Sequence, residues 1–255
     1  MSVSIRTDLS SRLVVAGFNQ NLSALYGSLE RLSTGRRINS ASDDPAGLVI
    51  SKQLQSQIAT LNQEIQNITA TIGKYQTVSG SVNELRGQLT ELRTLAVGAS
   101  NAAFNDEAVQ EAYATAAESL VNTYNRSIAG AHYNGTPTLD GSEGALASVT
   151  ALEGIDLSSP ENAVAAIETV DEAASELDQT MIELGAAQKN DLESRRQSLE
   201  VTRQNLEAAE SAITDTDYAM EMSLFTAGLV RSQATLALLG HSFLTNQGAV
   251  SLLQM

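Results

Sequence analysis

Residues Val15 to Gly35 read VAGFNQNLSALYGSLERLSTG, and the pattern they carry returns along most of this 255-residue chain. Val15, Phe18, Leu22, Leu25, Leu29 and Leu32 recur in alternating steps of three and four, the seam of a coiled-coil helix. Gly35 follows the last repeat and suits the left-handed position that stops a helix. Arg31, Arg36 and Arg37 stand near the negative end of its dipole.

Working outward, Asp44-Pro45 supplies an N-cap and a first-turn proline for a second helix. Its stripe runs through Ile58, Leu61, Ile65, Ile68, Ile72, Tyr75, Val78, Val82, Leu85, Leu89 and Leu92. From Pro45 to Gly98 such a helix is about 80 Å long at ~1.5 Å per residue, too long for the core of a compact domain. A third helix is expected over Asn105–Gly130 with Asn105 as its cap. Residues 131–159 change character, and Tyr133-Asn134-Gly135-Thr136 predicts one or two short hairpins there.

Helix is expected again from Ser159-Pro160, with a seam through Ile167, Val170, Ala174, Leu177, Met181, Leu184, Gln188, Leu192, Arg195, Leu199, Thr202, Leu206, Ala209 and Ile213. After Asp215 and Asp217 a final helix repeats the rhythm at Met222, Phe225, Leu229, Ser232, Leu236, Leu239 and Phe243. The fold class is therefore mainly α: long antiparallel helical rods and coiled-coil bundle, a short β-hairpin region, and a discontinuous terminal coiled-coil domain. Residues 1–44 with 215–255 form the terminal domain, and 45–214 the rod with its tip at about 131–159.

Composition removes whole classes of function. There is no Cys, which excludes disulfide scaffolds, thiolate catalysis and Cys-based zinc sites. His132 and His241 stand apart, and no Gly-rich phosphate loop or His-Glu-x-x-His occurs, so the chain reads as a non-enzyme with no cofactor or metal. The net charge of −15 gathers in residues 101–213, where 20 acidic side chains face 5 basic ones, which argues against nucleic acid or an anionic membrane as partner. No cleavable signal is visible at the start. The apolar-leaning stretch Ser232–Met255 is interrupted by Gln233, Thr235, His241, Asn246 and Gln247 and fails as a membrane span.

The stretch Ser28-Leu29-Glu30-Arg31-Leu32-Ser33-Thr34-Gly35-Arg36-Arg37-Ile38-Asn39-Ser40-Ala41-Ser42-Asp43-Asp44-Pro45 closely resembles the N-terminal signature of bacterial flagellin. Leu89–Val97, Leu184–Gln188, Ala208–Ala219 and the final Leu252-Leu253-Gln254-Met255 are similar to the same family. The resemblance covers roughly 1–135 and 160–255, and 131–159 stands where the family carries its variable outer domains, so it implies a minimal flagellin. It implies a structural subunit that polymerises into the flagellar filament for swimming motility. The alternative is a hook–filament junction protein.

It further implies secretion through the flagellar type III export apparatus to an extracellular filament. Partners implied are an export chaperone and the cap and hook-junction proteins. Arg36, Ile38, Asn39, Asp43 and Asp44 are the signature residues of the linker. Glu91, Arg93 and Leu95 match positions contacted by the flagellin-sensing Toll-like receptor; Glu91 stands where the family has Arg, which implies weak activation.

The terminal stripes have two readings. Heptad leucines ordinarily form intramolecular core, yet Val3, Ile5, Leu9, Val14, Val230, Leu238, Leu244, Val250 and Leu252 lie off both seams, and one helix pair leaves them uncovered. Neighbouring copies are the natural cover, which makes Val15, Phe18, Leu22, Leu25, Leu29, Leu32, Met222, Phe225, Leu229, Leu236, Leu239 and Phe243 the expected polymerisation residues. Gln188, Arg195 and Thr202 either fix register or mark drift of the seam. Asn134-Gly-Thr matches the N-glycosylation pattern, and Ser and Thr of 136–159 are candidate O-glycan sites.

Overall fold

The computed structural model describes residues 7–102 and 105–253. Val3 and Ile5 lie outside the described residues, as do the side chains of Leu9, Phe243, Leu244, Val250 and Leu252. In order, the described elements are α1 (Thr7–Thr34), α2 (Pro45–Ala99), α3 (Glu107–Gly130), β1 (His132–Tyr133), β2 (Thr136–Pro137), α4 (Pro160–Ala186), a π-helical segment (Ala187–Glu193), α5 (Ser194–Thr214) and α6 (Tyr218–Leu253).

The helix boundaries follow the caps. Gly35 adopts φ +70° and its N–H reaches the carbonyl of Arg31 at 2.9 Å, which stops α1. The Asp44 carboxylate accepts the Gly47 N–H at 2.9 Å at the head of α2, and the Ser159 hydroxyl accepts the Asn162 N–H at the head of α4. The third helix departs from expectation. Asp106, not Asn105, is its cap and accepts the Val109 N–H at 2.8 Å, while the Asn105 amide turns back to the Gly98 carbonyl at 2.8 Å. An ionised carboxylate is the stronger acceptor for the orphan N–H groups, so it takes the capping place.

One hairpin forms among the described residues of 131–159. His132 pairs with Pro137 and Tyr133 with Thr136, and Asn134 and Gly135 take φ of 51° and 78° in the two-residue turn between them. The rest of the segment folds back as core: Leu139 and Leu157 are fully buried.

The expected seam from Ser159 to Ile213 is interrupted. Up to Leu184 the covered side of α4 falls on residues 163, 170, 177 and 184; beyond the π segment it falls on 192, 199, 206 and 213. Residues 191, 198 and 205, which an unbroken heptad covers, are exposed. The π segment therefore takes up one extra residue and returns the stripe to the same side. Arg195, Thr202 and Ala209, expected on the seam, are exposed; Arg196, Arg203 and Glu210 are the partly covered residues. Two of them are clamped along the helix, Arg196 to Glu200 and Arg203 to Glu207.

The chain divides into two compact units, one of residues up to Thr60 with those from Arg203 on, the other of Leu61–Thr202. The core of the second unit joins Val82, Leu85, Leu89 and Leu92 of α2 to Ala117, Tyr124 and Ile128 of α3 and to Val170 and Leu177 of α4. The alanines of α4, among them Ala163, Ala166, Ala173 and Ala174, keep that helix narrow where it meets the others. In the first unit, α1 packs on α6, and Ser51 and Gln55 of α2 both donate to the Glu210 carboxylate of α5.

Candidate assembly surface

The linker after α1 is held by its backbone. The Arg37 N–H reaches the Thr214 carbonyl at 2.7 Å, the Thr216 N–H reaches the Gly35 carbonyl at 2.9 Å, and Arg36 and Asp215 form an antiparallel bridge. Ile38 is buried, its Cδ1 against Gly47 at the head of α2. Asp43 gathers the N–H groups of Asn39 and Ser40 at 3.1 and 2.8 Å and the Ser40 hydroxyl at 3.0 Å, bonds that hold its carboxyl below the usual range. The Asn39 amide donates to the Arg36 carbonyl at 3.1 Å. Each of the five linker residues singled out in the sequence thus has a place: Arg36 and Asn39 at the crossing, Ile38 buried against Gly47, Asp43 in the turn, Asp44 as cap.

The contact between α1 and α6 combines Leu25 with small and polar groups. Ser28 and Glu221 are buried, and Nη2 of Arg31 donates to Oε1 of Glu221 at 2.8 Å. This bond, and to a lesser degree the Ser28 hydroxyl, holds the Glu221 carboxyl below its ordinary value against the opposing effect of burial. Seven residues along α6, the Asn21 amide donates to the Gly228 carbonyl at 2.9 Å. A methyl group on Gly228 would lie 2.9 Å from Cδ2 and 3.1 Å from Cγ of Leu25, so the leucine would have to shift to make room for it.

Large apolar side chains occupy the other faces. Of the expected polymerisation residues, Leu25 is buried and Phe18, Leu22, Leu32, Phe225 and Leu239 are partly covered. Val15, Leu29, Met222, Leu229 and Leu236 are 42–54% exposed, and Leu13, Leu224, Val230 and Leu238 are at least as open. On α1 the covered stripe passes through Ser28 where the heptad reading has Leu29, and on α6 through Glu221 and Gly228 where it has Met222 and Leu229. Tyr218–His241, offset from the stretch tested in the sequence, is long and apolar enough to cross a membrane by length and composition, with mean hydropathy 1.2. Exposed apolar residues recurring along both helices differ from leucines scattered singly over a surface.

The second unit carries paired charges. Nε and Nη2 of Arg86 on α2 meet Oδ1 and Oδ2 of Asp178 on α4 at 2.8 and 2.9 Å. Arg93 does the same with Asp171, so one of the three positions matched to the receptor site is engaged within its own chain. Glu91 is exposed, and Leu95 packs half-buried against the core. The pairing of Arg93 was legible in the sequence only as an Asp seven residues before Asp178, the same spacing as Arg86 to Arg93. Among the described residues no group of three or more His, Asp or Glu side chains is placed to hold a metal ion.

Two family descriptions match: the bacterial flagellin N-terminal helical region over residues 5–144 and the C-terminal helical region over residues 167–253. The chain is 34% identical to a flagellin of Halalkalibacterium halodurans, covering 92% of this chain and 93% of that relative. It is 29% identical to the flagellar filament 31.3 kDa core protein of Treponema maltophilum, over 92% of this chain and 99% of the relative. A flagellin of Bacillus subtilis is also 29% identical, over 92% and 95%.

Proposed function

The chain belongs to the bacterial flagellin family and is a structural subunit of the flagellar filament, and we propose that α1 and α6 are the part of it that polymerises. The observation that carries this reading is the set of large apolar side chains their contact leaves exposed, among them Leu29, Met222, Leu224, Leu236 and Leu238, while Ser28, Glu221 and Gly228 beside them are buried. Burying an exposed leucine contributes about 1.5–3 kcal/mol, so stacking several copies converts this unfavourable face into the driving force of assembly. Val15, Phe18, Leu22, Leu25, Leu29 and Leu32 meet Met222, Phe225, Leu229, Leu236, Leu239 and Phe243 within a copy or across copies. Residues 1–44 with 215–255 form the inner domain of the subunit, and 45–214 the helical rod with its hairpin tip.

Coupled folding and assembly is the mechanism. Chain ends that order only at the growing tip lose conformational entropy there, and burial against neighbours offsets it. The subunit reaches that tip by the flagellar type III export apparatus, with an export chaperone, cap and hook-junction proteins as partners; the family membership supports this. The filament core names of its relatives favour the filament over the junction. The family is a structural one, and the chain acts without catalysis, cofactor or membrane insertion. Glu91, with Arg93 held by Asp171, makes it a weak activator of the flagellin-sensing Toll-like receptor.

Electron microscopy of the purified full chain under polymerising conditions tests the reading. Helical filaments are expected. Variants lacking residues 1–30 or 225–255 are expected to stay unassembled while retaining the cooperative melting of the Leu61–Thr202 unit. A chain that yields only soluble species, or truncations that polymerise normally, would overturn it.

A further inference from the structure

Leucines spaced by three and four residues do not by themselves define where one helix stops along another. Shifting α1 by seven residues against α6 presents the same stripe, displaced by about 10 Å. The contacts that change on such a shift are the polar ones. Glu221 lies opposite Arg31, Gly228 opposite Asn21 and Leu25, and Tyr218 opposite Gly35, where a side chain on the glycine would meet the tyrosine hydroxyl at 2.9 Å. Numbers rise on one helix as they fall on the other, so the pair is antiparallel.

We propose that Arg31 and Glu221 are positioning residues that fix the axial register of α1 on α6, with the Leu25–Gly228 fit and the Asn21 amide as its second fastening. The proposal rests on the filament-subunit reading, since register matters where copies stack. A slip of one heptad carries Glu221 to the level of Ala24 or of Ile38, and neither can pair with a carboxylate. The Glu221 side chain is 9% exposed against 30% for Arg31, so the carboxylate has little access to solvent as a substitute partner. A buried ion left alone is heavily disfavoured, whereas a misplaced leucine costs little; the charge therefore discriminates where the apolar stripe cannot. The same slip moves Leu25 from Gly228 to the level of Glu221 or Thr235, which carry side chains where the glycine has none; Gly240, the next glycine along the helix, is twelve residues distant.

Charge reversal separates a pair from two independent positions. Arg31→Glu and Glu221→Arg are made singly and together in the full chain, and filament yield is read by sedimentation and microscopy. Melting of the Leu61–Thr202 unit serves as the control for folding. Each single reversal is expected to cut filament yield at least tenfold with that melting unchanged, and the double reversal to recover most of it. Arg31→Lys, which keeps the charge, is expected to assemble. Singles that polymerise like the wild type overturn the register role, and so does a double variant no better than the singles. Failure of the wild type itself to polymerise would instead strike the filament reading.

Discussion

Arg93 on α2 and Asp171 on α4 face each other with Nε donating to Oδ1 at 2.6 Å and Nη2 to Oδ2 at 3.3 Å, and Arg86 with Asp178 repeats the arrangement seven residues away on each helix. The hydrogen bond from Arg93 holds the Asp171 carboxyl below the ordinary aspartate value of 3.8. A depressed carboxyl adds stability above that ordinary value and loses it as pH falls through the depressed one. Both side chains are about half exposed, so the effect is small and screened by salt. Asp171→Asn is expected to lower the melting temperature slightly at neutral pH and low salt. The difference from wild type should shrink in 1 M salt and vanish on acidification, as thermal melts across pH will show.

Gly80 and Gly87 lie inside α2 with open space where a side chain would stand. Each changed to Ala is expected to stabilise the helix by about 0.5–1 kcal/mol, because alanine loses less backbone freedom on folding. Gly228→Ala has the opposite sign: its methyl group meets Leu25 and displaces it, at a cost of about 1–3 kcal/mol to the α1–α6 contact. Denaturant melts check the first two, and filament yield the third.

Caps and rods could be read from the sequence because their causes are local. Asp44-Pro45, Ser159-Pro160 and Gly35 each act on the few residues beside them, and the Asn134-Gly135 turn needs only its own two positive φ angles. What escaped was set by packing. Leu29 and Met222 continue a numerical rhythm, yet Ser28 and Glu221 face the partner helix, because a small side chain and a paired charge allow closer approach than a leucine and a methionine. The heptad reading extends the seam after Leu184 through Arg195 and Thr202, although Leu184, Gln188 and Leu192 show two successive steps of four. Those two steps are the mark of the extra residue that the π segment holds.

Removing one residue from that segment should therefore be tolerated. Deletion of Asn190 lets α4 and α5 join as one α-helix with Leu184 and Leu192 seven apart. Deletion of Glu172, where the stripe has nothing to spare, turns Ala163 and Ala166 away from the core. The first variant is expected to melt at or above the wild-type temperature and the second well below it, by circular dichroism. A first variant as damaged as the second would show that the π segment has another cause.

Tyr124 is 1% exposed, and its hydroxyl has no hydrogen-bond partner. Burial, with the Glu176 charge adding to it, pushes the phenol up to about 12. The neutral form is thus favoured in the folded state, so its contribution is complete below pH 10 and is lost as pH rises toward 12. Tyr124→Phe removes an unsatisfied polar group and is expected to stabilise the second unit by about 1 kcal/mol, roughly 2–4 °C. It should also delete the last tyrosine to ionise in an ultraviolet pH titration.

The small and polar groups buried at the α1–α6 contact set a trade-off for anyone redesigning this chain. Replacing Ser28 and Gly228 with larger apolar residues, after repacking Leu25, would give a tighter, more monodisperse molecule in the test tube. It would also splay the two helices and turn their outward leucines to new angles, producing a sturdier brick that no longer fits the wall.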